Sequence, residues 1–228
     1  MTNNAWNSPD LTGNGNVLIG QTGGRPVAAQ LSGCGIDVTN GAGSITLDTI
    51  ATGLDYDKIS SSTASSSASI SFTGLSSTYH CYVVEITNFA PATDGVEMYL
   101  RTSTDNGVSY DSGASDYAWS NYVVDNDGTL KDGGSTGDSK MEIVGRTNDQ
   151  IGGATNETSD ATVWIFNPSS ASYTKALCMA TYTRTNGDSI WMTCGGQRLS
   201  AADVDAIQFL MSSGNIASGE FVLYGLKA

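Results

Sequence analysis

The sequence predicts an all-β protein, a short-stranded trimeric N-terminal stem followed by a jelly-roll-like antiparallel β-sandwich head. Three observations carry that expectation. Apolar runs are cut after a few positions by turn-forming residues, among them 27 glycines in 228 residues. Beyond residue 70 the apolar residues recur at every second position, the period of a half-buried strand. Charged residues make up only 14% of the chain, below the globular average of about 25%, and the whole composition favours short strands joined by tight turns.

Residues 1–11 read as an attachment segment and residues 12–55 as an intertwined β stem. Within the stem, Val17 to Ile19, Val27 to Leu31, Ile36 to Val38 and Ser44 to Leu47 are short aliphatic strands separated by Gly, Ser, Asn and Pro. Strands this short leave edges and one face wet within a single chain. Three copies wound about a common axis would close those edges and give the aliphatic side chains an interior. A flexible glycine-rich linker fits less well, because linkers seldom repeat aliphatic runs.

Residues 56–228 read as the head. Ser60 to Ser71 is the approach to it, with a start that reads equally as a solvated loop, and Ala68, Ile70 and Phe72 alternate into a strand. His80 to Ile86 and Val96 to Arg101 show the period of two most plainly. Further strands are expected at Tyr117 to Val124, Ser139 to Val144, Ala161 to Phe166, Lys175 to Arg184, Ser189 to Cys194, Val204 to Met211 and Gly219 to Leu226. About nine strands at this spacing suggest a two-sheet sandwich. Ser200 to Asp205, with Ser200 as cap and Asp203 three residues on, is the one place for a short helix.

The formal charge of -13 and pI near 4.1 argue against nucleic-acid and anionic-membrane partners, whose surfaces would repel this chain. No window approaches the roughly 18–20 apolar residues of a membrane-spanning helix, and Met1 to Trp6 lacks the order of a secretory signal. A soluble protein made in a cytoplasm is expected. Cys34, Cys81, Cys178 and Cys194 form no C-x-x-C pair, so zinc and redox motifs are not indicated. Cys178 and Cys194 flank a hairpin at Asn186-Gly187, and a three-residue loop of Thr185 to Gly187 would set them opposite each other, as thiols in a reducing cytosol.

No catalytic template fits. Gly133 to Gly137 matches G-x-S-x-G, but the only histidine, His80, precedes it, and a nucleophile elbow needs its histidine later. Asp105-Asn106-Gly107 and Asp125-Asn126-Asp127-Gly128 lack the ligand spacing of an EF-hand and read as hairpin turns. The acidic loop Asp125 to Asp138 leaves a weak calcium reading open, but no cofactor or metal is expected. The candidate ligand-binding residues are Tyr117, Trp119, Tyr122, Asp125 and Asp127, where aromatic faces beside carboxylates suit a sugar surface. Against this stands core packing, the bland role of alternating aromatics, which Trp164 and Trp191 share. Among the tryptophans, Trp119 is the one expected to escape the core.

Two stretches carry a resemblance to known proteins. Val17 to Ala29 followed by Gly35 to Leu47 looks like a stem element common in tailed-phage fibre proteins. Asn88 to Asp94, Arg101 to Gly107 with Tyr110 to Gly113, Ile207 to Ile216 and Gly219 to Gly225 resemble a domain of tailed-phage structural proteins. The usual Gly-Gly after the first Asp of the second motif is replaced by Asn106-Gly107, a harmless change in a turn. The resemblance implies a homotrimeric head or tail fibre or spike on a virion, joined to a capsid or tail protein through its N-terminal segment, with no enzymatic activity. Host-surface glycan is the implied outside partner. Rival expectations are a carbohydrate-binding module and a polysaccharide depolymerase using paired carboxylates.

Overall fold

The computed structural model describes residues 56–226 in full and, before them, the backbone of four strands. These are β1 (Asn16–Ile19), β2 (Val27–Gln30), β3 (Ile36–Gly41) and β4 (Ser44–Thr49). They fall on the four aliphatic runs and pair as two antiparallel hairpins, β1 with β2 and β3 with β4. The chain divides into two compact units, Met1–Asp55 and Tyr56–Ala228. Winding of the first unit with other copies and the attachment role of residues 1–11 lie outside the described residues.

The second unit is all-β, and its sheets are antiparallel throughout. Its strands are β5 (Tyr56–Ser67), β6 (Ile70–Thr73), β7 (Cys81–Pro91), β8 (Met98–Ser103), β9 (Tyr117–Asp125) and β10 (Leu130–Asp138), then β11 (Met141–Val144), β12 (Ser159–Phe166), β13 (Lys175–Thr183), β14 (Ser189–Arg198), β15 (Ala206–Met211) and β16 (Ile216–Leu226). The large sheet has eight strands in the order β10-β9-β14-β13-β12-β7-β16-β5, and the small sheet has four in the order β11-β8-β15-β6.

One core lies between the sheets. Val84, Val163, Cys178, Met192 and Phe221 project into it from the large sheet, and Phe72, Met98, Leu100, Ile143 and Phe209 meet them from the small one. Phe209 and Phe221 join the two layers with ring centroids 5.7 Å apart. Strict alternation makes this sandwich: on β13, Ala176, Cys178, Ala180 and Tyr182 are buried while Lys175, Leu177, Met179 and Thr181 are exposed. A one-residue slip would turn the buried set out to solvent, so the apolar pattern fixes the register.

The turn between β13 and β14 is the expected three-residue loop. Arg184 N–H donates to the Asp188 carbonyl, Gly187 N–H donates back to the Arg184 carbonyl, and Gly187 takes φ +88°. Such a loop needs a residue at positive φ, which glycine adopts without strain. Cys178 and Cys194 become direct cross-strand partners as a result.

Three expectations are corrected. The start of Ser60 to Ser71 is not a solvated loop: it belongs to β5, a twelve-residue strand at the edge of the large sheet. Serine is tolerated there because only Ala64 of this strand is buried. The Gly-rich stretch Gly133 to Gly137 is also a strand, part of β10 at the other edge. No helix forms at Ser200 to Asp205, because partners elsewhere take its backbone groups: Val204 N–H donates to the Pro168 carbonyl, Asp205 N–H to Ser103, and the Asp205 carbonyl accepts from Leu75 N–H. The second unit thus has more strands than the sequence suggested, the additions being polar edge strands.

Candidate functional site

The five residues singled out by sequence do not form one site. β9 alternates, so Tyr117, Asn121, Val123 and Asp125 point inward while Ser120 and Tyr122 point outward. Tyr117 is fully buried, and its hydroxyl accepts the Thr102 N–H at 2.8 Å and donates to the Asp111 carbonyl at 3.2 Å. Burial pushes its phenol up to about 12. Tyr117 is a core residue tying the two sheets together, unavailable to a ligand.

Asp125 is also buried. Its Oδ2 is 2.9 Å from Lys131 Nζ and 3.4 Å from Arg184 Nη1. Those cations also reach Asp149, a fully buried carboxylate 2.5 Å from Lys131 Nζ, 2.6 Å from Arg184 Nη1 and 3.1 Å from Arg146 Nη1. Burial alone would raise the Asp149 carboxyl, but the hydrogen bonds from Lys131, Arg184 and Arg146 and the charge of Lys131 together hold the group below the ordinary range. This network clamps the β9–β10 hairpin to the β13–β14 turn. Asp127 sits in the exposed turn between β9 and β10, accepting the Thr129 N–H at 2.8 Å. The loop Asp125 to Asp138 is a hairpin, and among the described residues no group of His, Cys, Asp or Glu is arranged to hold a metal ion.

Trp119 is partly buried against the core, and its indole N–H donates to Asp138 Oδ2 at 3.0 Å. Asp138 is in turn paired with Lys140. Tyr122 alone of the five presents its ring to solvent, at 52% exposure.

Tyr122 belongs to a larger feature that sequence reasoning did not assemble. The outer face of the large sheet carries apolar side chains in registered rows. Leu130, Val124 and Trp191 are consecutive partners across β10, β9 and β14, and Leu177, Trp164, Val83 and Tyr224 are consecutive across β13, β12, β7 and β16. Tyr122, Leu130, Phe166, Leu177, Met179 and Trp191 are all more than a third exposed. Two shallow grooves of about 550 and 470 Å3 cross the face, one beside Phe166 and Lys175, the other beside Met179 and Trp191. The signal was present in β13, where Leu177 and Met179 occupy the face opposite the buried Ala176, Cys178 and Ala180.

The sequence also gave no sign of a carboxylate pair on the small sheet. Glu97 and Glu142 are each 7% exposed; Gln150 Nε2 donates to Glu97 Oε1 at 3.0 Å. Burial, reinforced by the Glu97 charge, pushes the Glu142 carboxyl up to about 7. Glycoside hydrolysis needs two carboxyls flanking an open sugar site; this pair is enclosed, and Asp125 is occupied by cations.

No family model matches the chain, and neither a curated protein nor a solved structure matches it. The chemistry open to the described surface is therefore read from its own residues: apolar contact over a broad sheet face.

Proposed function

We propose that this chain is a non-enzymatic structural subunit of a tailed-phage particle, a homotrimeric head or tail fibre or spike on the virion surface that contacts the host. The observation that carries the reading is strand order. Among the strands β5, β6, β7, β8, β11, β12, β15 and β16, one four-stranded set runs β5-β16-β7-β12 and the facing set β6-β15-β8-β11. That interleaving supports an eight-stranded jelly roll, an architecture used by viral capsid and lectin domains. The hairpins β9–β10 and β13–β14 are then insertions that extend one of its two sheets. Architecture alone does not imply a role; the likeness of residues 17–47 and of the motifs from Asn88 onward to phage structural proteins supplies the context.

Adhesion through three copies per spike, repeated around a particle, raises effective affinity without a strong single site. The charge of -13 keeps neighbouring spikes apart. Solvent-facing Trp191 and Tyr122 favour a second reading, host-glycan recognition, since aromatic faces stack on sugar rings. Immunogold labelling of intact particles tests the main reading. Regular surface labelling is expected, whereas protein confined to the lysate and absent from purified particles would overturn it.

A further inference from the structure

We infer that the outer face of the large sheet is where the heads of neighbouring copies pack against one another. This rests on the homotrimer reading above and adds to it the surface by which the heads associate.

The first argument is area. The face spans seven interstrand steps from β10 to β5, about 34 Å at roughly 4.8 Å per step, and six residue steps along β9 from Ala118 to Val124, about 20 Å. The product, about 700 Å2, is close to the roughly 800 Å2 that each partner contributes to a standard interface. The apolar part of that face is its two rows, Leu130 to Trp191 and Leu177 to Tyr224, and a contiguous exposed apolar patch marks an interaction surface rather than ordinary exposure.

The second argument is charge. A chain carrying -13 repels its own copies unless they meet where charge is absent or balanced. Across the eight strands the outward positions hold four acids, Asp132, Glu85, Asp160 and Glu220, and two lysines, Lys175 and Lys58, and of these only Asp160 and Lys175, at opposite ends of the strands, lie on the central β9, β14, β13 and β12. Between them lie Leu177, Met179, Trp164 and Trp191 with Thr162, Thr181 and Thr193. The centre of the face, low in charge and rich in aromatic residues and Met, has the composition of an interface core, with Glu85 and Asp160 beside it on β7 and β12. A host polymer bearing acidic groups would find one lysine there, whereas a second copy finds a matching apolar surface.

The 228-residue chain and its double variant Leu177→Glu with Met179→Glu are compared. Both side chains are outward and exposed, so the fold has no need of them. Light scattering on the parent chain is expected to give three times 23.7 kDa, and in the variant the heads are expected to part, so that Thr181→Cys placed beside the two glutamates labels with maleimide as fast as Ser71→Cys, with an unchanged strand signal in circular dichroism. A variant in which Thr181→Cys stays slow overturns this inference and leaves the homotrimer standing. A parent chain of 23.7 kDa removes both. As a second measurement, independent of how the variant folds, Thr181→Cys on this face should label with maleimide at least tenfold more slowly than Ser71→Cys on the outer face of the small sheet, although both positions are exposed in the single chain. Equal rates would overturn the inference. So would slow labelling in a chain that stays trimeric with both glutamates present, since residues 1–55 or another ligand would then be covering the face.

Discussion

Cys178 on β13 and Cys194 on β14 are direct cross-strand partners, and both thiols point into the sandwich core. Burial pushes the Cys178 thiol well above its ordinary value and the Cys194 thiol up to about 12. Only a thiolate attacks an alkylating reagent, so both residues are expected to remain unmodified by iodoacetamide at pH 8 while the protein is folded. Peptide mapping after labelling, with and without denaturant, checks this; modification of either in the native protein would contradict its placement.

Glu142 makes stability fall as pH rises. Its carboxyl titrates near 7 in the folded protein against 4.5 as its ordinary value, so between those limits the folded state holds a proton that the unfolded chain has released. Stability is then greatest below pH 4.5 as far as this group is concerned, declines through the window and levels above pH 7. Glu142→Gln is expected to remove that decline and to raise stability at pH 8 by roughly 2 kcal/mol. Urea midpoints at pH 5 and pH 8 for the two proteins measure it.

Asp149 acts in the opposite direction. Its lowered carboxyl contributes stability above the ordinary value of 3.8 that is lost as pH falls through its folded value. Asp149→Ala would leave Lys131, Arg146 and Arg184 without their shared buried partner. A loss of about 3 kcal/mol is expected, read from the shift in urea midpoint at pH 7, with the variant less acid-sensitive than the parent.

Tyr117→Phe separates a structural tyrosine from a ligand-binding one. Removal of the hydroxyl leaves the buried Thr102 N–H without its acceptor, which costs about 1–3 kcal/mol. Thermal unfolding is expected to show that loss. Binding to a glycan array is expected to be unchanged, because the ring never reaches the surface.

The strands that sequence could see are those with one apolar and one polar face, or with apolar residues on both. β12, β13 and β14 declared themselves through Val163, Ile165, Cys178, Tyr182, Ile190 and Met192 at alternate positions. β5 and β10 were hidden because an edge strand buries almost nothing: Ser, Thr and Gly with scattered charges produce no period, and the backbone pairing to β16 and β9 does the organising. At the candidate site, proximity in sequence misled. Tyr117 and Tyr122 lie five positions apart on one strand, an odd spacing that sends one ring into the core and the other outward. Asp125 read as a free ligand-binding carboxylate because its partners, Lys131 and Arg184, come from another strand and a distant turn. Likewise, the apolar outer face draws each of its rows from several strands, so it exists only once the sheet order is known.

Three copies associate, with the apolar sheet face closed between their heads. Light scattering of the purified 228-residue chain across a tenfold concentration range tests this most directly. A constant mass three times 23.7 kDa is predicted, and a folded single subunit at every concentration would contradict it.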